Sequence, residues 1–483
     1  MISWRLGTCF QLSAVVLILL LSAAFSPSTE YDLVVLNGRV MDPETGLDAI
    51  RNVAVRNGRI VSISVEPLSG RVTIDAKGFV VAPGFIDLHQ HSQTSEAYLV
   101  KARDGVTTAL EMEEGVSDID QFYQEREGRA LINFGATIGH EYLRAAVAEL
   151  GHPNAPAGDA AHRSLTAAEV GELHRRIEHG LSRGAVGVGV LLMDTPGATP
   201  TEILDMFRAA ARFKGAPVHI HVRGLEEPQY GLETDEAITD SLITGAPVQI
   251  VHANSSYQED APQLLSMIEA ARAHGVQVTT EAYPYTDSMV SIGEASEGWE
   301  KWPDEKFQQL EWAATGERLT RESFGKYRQR GGLMIVHHPS FTEEQLLSTV
   351  ASPLTMIASD GILKDGVGHP RVAGTYSRVL GRYVREQKAL TLMEALRKMT
   401  LMPAQHLEAR VPAMKQKGRV QTGADADLVI FNPETVLDQA TYREPTRPPI
   451  GIEYVLVNGI IAVNRGMAKQ GIFPGRAVRG AVN

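Results

Sequence analysis

The feature that most restricts this chain's fold is an alternation running from about Phe79 to Met414. Short apolar runs, each the length of one strand, fall at 85–88, 105–110, 131–138, 185–192, 218–221, 248–251, 276–280, 333–336 and 355–358. Stretches with helical spacing, such as 166–183, 201–214 and 263–274, separate several of them. Strands alternating with helices predict parallel βαβ units. Their number predicts a closed (β/α)8 TIM-like barrel over 83–414 rather than an open sheet. In such a barrel the chemistry gathers at the C-terminal ends of the strands.

The flanks read differently. Strand-like segments at 31–36, 54–56 and 60–65 are punctuated by Asn37-Gly38 and Asn57-Gly58. The same texture returns at 426–431 and 454–457, the latter closed by Asn458-Gly459. Asn-Gly tolerates positive φ at both positions, so each pair predicts a hairpin. We expect one small β-sandwich domain built from both termini, 30–82 and 415–475, around the inserted barrel.

At the start, Arg5, an apolar run at 12–21 and the small residues Ser22, Ala23 and Ala24 predict a signal peptide over 1–26. Export to the periplasm or the medium follows. The alternative is an uncleaved anchor, although the run is short for the roughly 20 residues of a membrane span. Once the leader is removed, no membrane span is expected. Cys9, the single cysteine, lies inside the leader, so the mature chain would have no disulfide, cysteine ligand or cysteine nucleophile.

A hydrophobic content of 43% and a charged content of 22% point to a folded globular chain. The net charge of −12 argues against a nucleic-acid partner, because phosphate binding needs a cationic face. A small-molecule substrate fits better, and nothing in the sequence defines an oligomer.

Chemistry is concentrated at the ends of the predicted strands. The run Phe85-Ile86-Asp87-Leu88-His89-Gln90-His91 ends in His-x-His. Residues two apart on a strand share a side, so His89 and His91 can reach one metal ion. His221 and His252 each close an apolar strand that follows a Gly-Ala-Pro entry, and Asp360 ends another at Ser359-Asp360-Gly361. Singly, these are ordinary rim histidines and a turn aspartate. Together they predict a metal site with a carboxylate able to exchange protons with water and a leaving amine.

Taken in order, the motifs carry a resemblance. They are Pro83 to His91, Gly105-Val106-Thr107-Thr108, Gly139-His140, His221-Val222-Arg223, Tyr283-Pro284-Tyr285, Ser359-Asp360-Gly361, His369-Pro370-Arg371 and Ala424 to Val429. This series resembles the D-aminoacylases, the N-acyl-D-amino-acid deacylases of the amidohydrolase superfamily. The resemblance implies zinc, as one or two ions or another divalent metal, and an amide substrate. It also implies Asp360 as general acid and base, with Tyr283 and Arg371 holding a substrate carboxylate.

Two departures stand out. Where the family has Asn-Cys-Gly, with a metal-bridging cysteine, this chain has Glu113-Glu114-Gly115, and Glu114 takes the cysteine's place as the expected carboxylate ligand. No lysine lies in 185–192, which argues against a carbamylated-lysine bridge. Where the family has His-His-Lys, this chain has His252-Ala253-Asn254, so Asn254 is the expected third substrate contact. Alternatives remain: an exported amidohydrolase for dipeptides or cyclic amides, or a catalytically silent barrel used as a scaffold. The segment 288–329, with Trp299, Trp302 and Trp312, reads as either a lid or a surface insertion.

Overall fold

The computed structural model describes residues 1–2, 30–148, 159–223, 230–293 and 298–482, so the predicted signal peptide, apart from its first two residues, lies outside the described residues. Eight parallel strands form one sheet: β1 (Phe85–Asp87), β2 (Val106–Val116), β3 (Asn133–Gly139), β4 (Val188–Leu191), β5 (Val218–His221), β6 (Val248–Ile250), β7 (Val278–Ala282) and β8 (Thr355–Ile357). They neighbour one another in sequence order, as right-handed βαβ crossovers dictate. The ring closes where Gln90 bridges Gly361 in parallel and the His91 N–H donates to the Gly361 carbonyl at 3.1 Å. Asp87 fixes this seam: it accepts the Ser359 N–H at 3.0 Å and the Ser359 hydroxyl at 2.6 Å, and pairs with the buried Lys101.

Amphipathic helices cover the outside. The predicted helix at 166–183 forms as Ala167–Ser182, started by a reciprocal Thr166/Glu169 capping box. Below the strands, Ala404, Leu407, Val411 and Met414 pack against Ile86, Leu110, Val186 and Met356 and plug the barrel floor. The open end is therefore the opposite one, at the C-terminal ends of the strands.

The run at 333–336 is not a barrel strand. Leu333–Val336 pairs antiparallel with Ser288–Ser291 and Leu310–Trp312 in a separate four-stranded sheet. This sheet encloses its own core of Ile292, Phe307, Leu310, Trp312, Leu319, Phe324 and Met334, with Trp299 and Trp302 packed on it. Length and apolarity alone could not separate this strand from its barrel neighbours. The insertion is thus a small packed subdomain, and its first strand forms part of the wall over the barrel mouth.

Both termini contribute to a nine-stranded sheet with a shared apolar core that includes Val35, Val53, Ile60, Ile74, Val81, Leu428 and Leu456. Asn57-Gly58 and Asn458-Gly459 form the predicted tight hairpins, joining Arg56 to Arg59 and Val457 to Ile460. Asn37-Gly38 does not. Tyr31–Asp42 is a single 12-residue strand with a bulge there, Asn37 at φ 61°. A side chain on Gly38 would meet Val81 Cγ2 at 2.4 Å, so the glycine serves close packing instead of a turn.

Asp427 locks this sheet to the barrel. It is buried, accepts Lys417 Nζ at 2.6 Å and the Asn458 N–H at 2.6 Å, and reaches Asn133 at the start of β3 at 2.9 Å. Removing one member of a buried ion pair costs about 3–5 kcal/mol. Asp427→Ala is expected to lose stability of that order in urea denaturation; a loss below about 1 kcal/mol, the range of surface pairs, would contradict the assignment.

Candidate metal centre

Two of the strand-end residues are delivered by departures from regular structure. His221 is the last residue of β5, whereas His252 and Asp360 lie just past β6 and β8 at φ 29° and 51°. Left-handed backbone at non-glycine residues costs on the order of 1–3 kcal/mol and persists where surrounding contacts fix it. Here the fixing contacts are the His252 N–H to Glu281 Oε1, 2.9 Å, and the Ser359–Asp87 bonds beside Asp360.

The carboxylate at the centre is Glu113. The pairing of β2 with β3 breaks between Glu111 and Val116, and Gly115 sits at φ 72°. A Cβ there would meet Thr137 Oγ1 at 2.6 Å and the Gly139 nitrogen at 2.7 Å, so the bulge requires glycine. Glu113 Oε1 lies 2.9 Å from His221 Nδ1 and 3.0 Å from His252 Nε2. Its Oε2 lies 2.9 Å from His89 Nε2 and 3.2 Å from His91 Nε2. One carboxylate thus touches four imidazoles, and Asp360 Oδ1 completes the group 3.2 Å from His91 Nε2.

Glu114, expected in the bridging place, points elsewhere. Its Oε1 is 3.3 Å from His91 Nδ1, and its Oε2 accepts the Tyr142 hydroxyl at 3.0 Å. With Glu111 Oε2 at 3.1 Å from the same Nδ1, it backs His91 instead of sharing the centre. Burial, reinforced by Glu111 and Glu113 against His91, pushes the Glu114 carboxyl up to about 7.

This donor set fits a divalent cation. His89, His91, Glu113 and Asp360 form one group, and Glu113, His221 and His252 a second, each with its donor atoms within 4.8 Å of one another. His89 Nε2 and His91 Nε2 face each other at 3.0 Å, where two lone pairs or two protons would repel, and His221 Nε2 is buried without a hydrogen-bond partner. Imidazole nitrogens with carboxylate oxygens suit zinc and its first-row neighbours. Glu113 belongs to both of these groups, the place of a bridging carboxylate, whereas Glu114 falls in a third, with His91 and Glu111.

Charge follows the same pattern. Burial works against ionisation of Asp360, but Arg371, His89 and His91 hold its carboxyl far below the usual range. Arg371 is fully buried, pairs with Asp360 Oδ2 at 2.8 Å and stacks 4.4 Å from the Tyr283 ring. Tyr283 and Arg371 therefore stand behind Asp360, outside the residues that line the cavity. Asn254 is spent on the backbone: its Oδ1 accepts the Tyr283 N–H at 3.2 Å and its Nδ2 donates to the Tyr285 carbonyl at 3.3 Å. It staples the Tyr283 loop and does not reach the cavity.

Glu281, on β7, was not singled out from sequence. Its Oε1 holds His89 Nδ1 at 2.8 Å and the His252 N–H at 2.9 Å, and its Oε2 accepts the Gln249 amide. It thereby fixes the ring nitrogen that His89 turns to the centre. Glu281→Gln is expected to weaken zinc affinity about 10–100-fold, read by competition with a chelating dye; unchanged affinity would contradict this role.

A parallel barrel with imidazoles and carboxylates converging at its C-terminal mouth defines the class of metal-dependent barrel hydrolases. The amidohydrolase family model matches residues 80–462, and the chain belongs to that family. It is 30% identical over 495 residues to an N-acyl-D-glutamate deacylase of Alcaligenes xylosoxydans xylosoxydans, covering 93% of this chain and 96% of that one. It is 29% identical over 483 residues to a D-aminoacylase of the same organism, covering 90% and 95%. Among solved structures, an N-acyl-D-glutamate deacylase from Bordetella bronchiseptica superposes with a TM-score of 0.81 at 26% identity, covering 93% of this chain and all of that one. That structure contains zinc and a phosphonate inhibitor, a mimic of the reaction's tetrahedral intermediate.

Proposed function

We propose that this protein is a metal-dependent amide hydrolase that deacylates N-acyl-D-amino acids. The observation that carries the reading is Glu113 in contact with four imidazoles, with the ionised Asp360 beside them. His89, His91, Glu113, His221, His252 and Asp360 would hold zinc, as one or two ions. When bound, zinc polarises an amide carbonyl and makes a neighbouring water acidic.

The chain's own residues do the rest. Asp360 is kept as a carboxylate by Arg371, so it can accept a proton from the attacking water and return it to the departing nitrogen. Arg371, stacked on Tyr283, holds Asp360 in one orientation. Leu191, Met193, Met289, Val290 and Ile362 wall the cavity and limit water around the amide.

The test is a metal assay followed by a screen of N-acyl-D- and L-amino acids, dipeptides and cyclic amides. Deacylation of the D-series, abolished by a chelator and restored by zinc, supports the reading. Turnover of dipeptides or cyclic amides alone would replace it, and a folded protein that binds no metal would make the chain a scaffold. Supported by the polarity pattern of residues 1–26, we also propose export by a cleaved signal peptide, which N-terminal sequencing of the mature protein tests.

A further inference from the structure

The cavity above the metal centre has a second polar pole that the chemistry above leaves unused. Ser288 and His338 line it, one from the first strand of the inserted sheet and the other just beyond its strand Leu333–Val336. His338 Nε2 lies 3.0 Å from Ser288 Oγ, and Gln258 Nε2 lies 3.3 Å from His338 Nδ1. With the Gln258 amide donating, Nδ1 accepts, and the single proton of a neutral imidazole sits on Nε2. Burial keeps His338 below its ordinary range, with His337 adding and Asp287 opposing, so the neutral form holds.

The Nε2 proton is then donated to Ser288 Oγ. With that acceptor position filled, the Ser288 O–H is left to donate into the cavity. The other two serines of the lining are committed. Ser256 is bonded to His252 Nδ1 at 2.8 Å, and Ser255 donates to the His252 carbonyl at 3.4 Å. Among the described residues the lining has no lysine or arginine, and Glu113, Glu114 and Asp360 repel anions. Among the described lining residues, an anionic group entering this cavity meets Ser288 as the oriented neutral side-chain donor outside the metal cluster.

We propose that Gln258 and His338 are positioning residues that make Ser288 a dedicated hydrogen-bond donor to the substrate's carboxylate, and so set a preference for free acids over neutral amides. This rests on the N-acyl-amino-acid reading of the same site. The imidazole acts only through the serine. Hydrogen bonds to charged groups support an effect of roughly tenfold to a hundredfold.

The test compares N-acetyl-D-leucine with N-acetyl-D-leucinamide on the zinc-loaded protein, by kcat and KM in the wild-type background and by calorimetric affinity in the Asp360→Asn background. His338→Ala is expected to cut the acid-over-amide preference roughly tenfold to a hundredfold, chiefly in KM. His338→Gln, which keeps an N–H donor, restores most of it, and Ser288→Ala matches His338→Ala with no further loss in the double variant. Should His338→Ala fail to fold, Ser288→Ala reads the same preference. An unchanged preference, or equal losses for acid and amide, would overturn the relay. If neither compound is hydrolysed but Asp360→Asn still favours the acid through His338, the deacylase reading fails and the relay stands.

Discussion

Glu113→Gln is expected to lose its metal and at least roughly a thousandfold in kcat/KM, because several kcal/mol of electrophilic stabilisation leave with the ion. Glu114→Gln, by contrast, should keep its metal and lose no more than about 10–100-fold, the range of a residue that supports a ligand without being one. The contrast follows from geometry. Glu113 puts one oxygen between His221 and His252 and the other between His89 and His91, so its loss disconnects both halves of the centre. Glu114 touches His91 through the nitrogen that faces away from that centre, alongside Glu111. Metal content by elemental analysis and kinetics on one N-acyl-D-amino acid check the pair. Equal losses in the two variants would mean that both carboxylates hold the metal.

Asp360→Asn separates binding from chemistry. The variant keeps its four imidazoles and Glu113, so zinc should remain, while kcat is expected to fall about 10²–10⁴-fold with the loss of general acid–base catalysis. Arg371 loses its ionic partner at 2.8 Å in a fully buried position, so some stability should go as well. Near-normal turnover in a metal-loaded Asp360→Asn protein would refute the assigned proton transfer.

What could be read from the sequence, and what could not, divides along a physical line. His89, His91, His221, His252 and Asp360 were legible because each follows an apolar run, and parallel strands of one barrel deliver their ends to one place. Glu113 was not, because counting along a regular strand cannot see a bulge. Gly115 was the available signal, a glycine directly after two acids where positive φ was needed. Asn37-Gly38 misled in the opposite direction, since the same local freedom serves a bulge as readily as a hairpin. Asn254 was read from the place of a family lysine, but a short buried amide is more useful there to the backbone of Tyr283 and Tyr285. His338 stands two residues past the run at 333–336, which reads in the sequence as one more barrel strand, so it carried the same signature as the other histidines and was not singled out.

The central claim is that Glu113 joins widely separated imidazoles around a common cation. The most direct measurement is anomalous diffraction at the zinc edge from crystals of the metal-loaded protein. The account predicts anomalous density in contact with the Glu113 carboxylate and the imidazoles of His89, His91, His221 and His252. Density bound by Glu114 with Glu113 uninvolved, or none at that position in active protein, would contradict it.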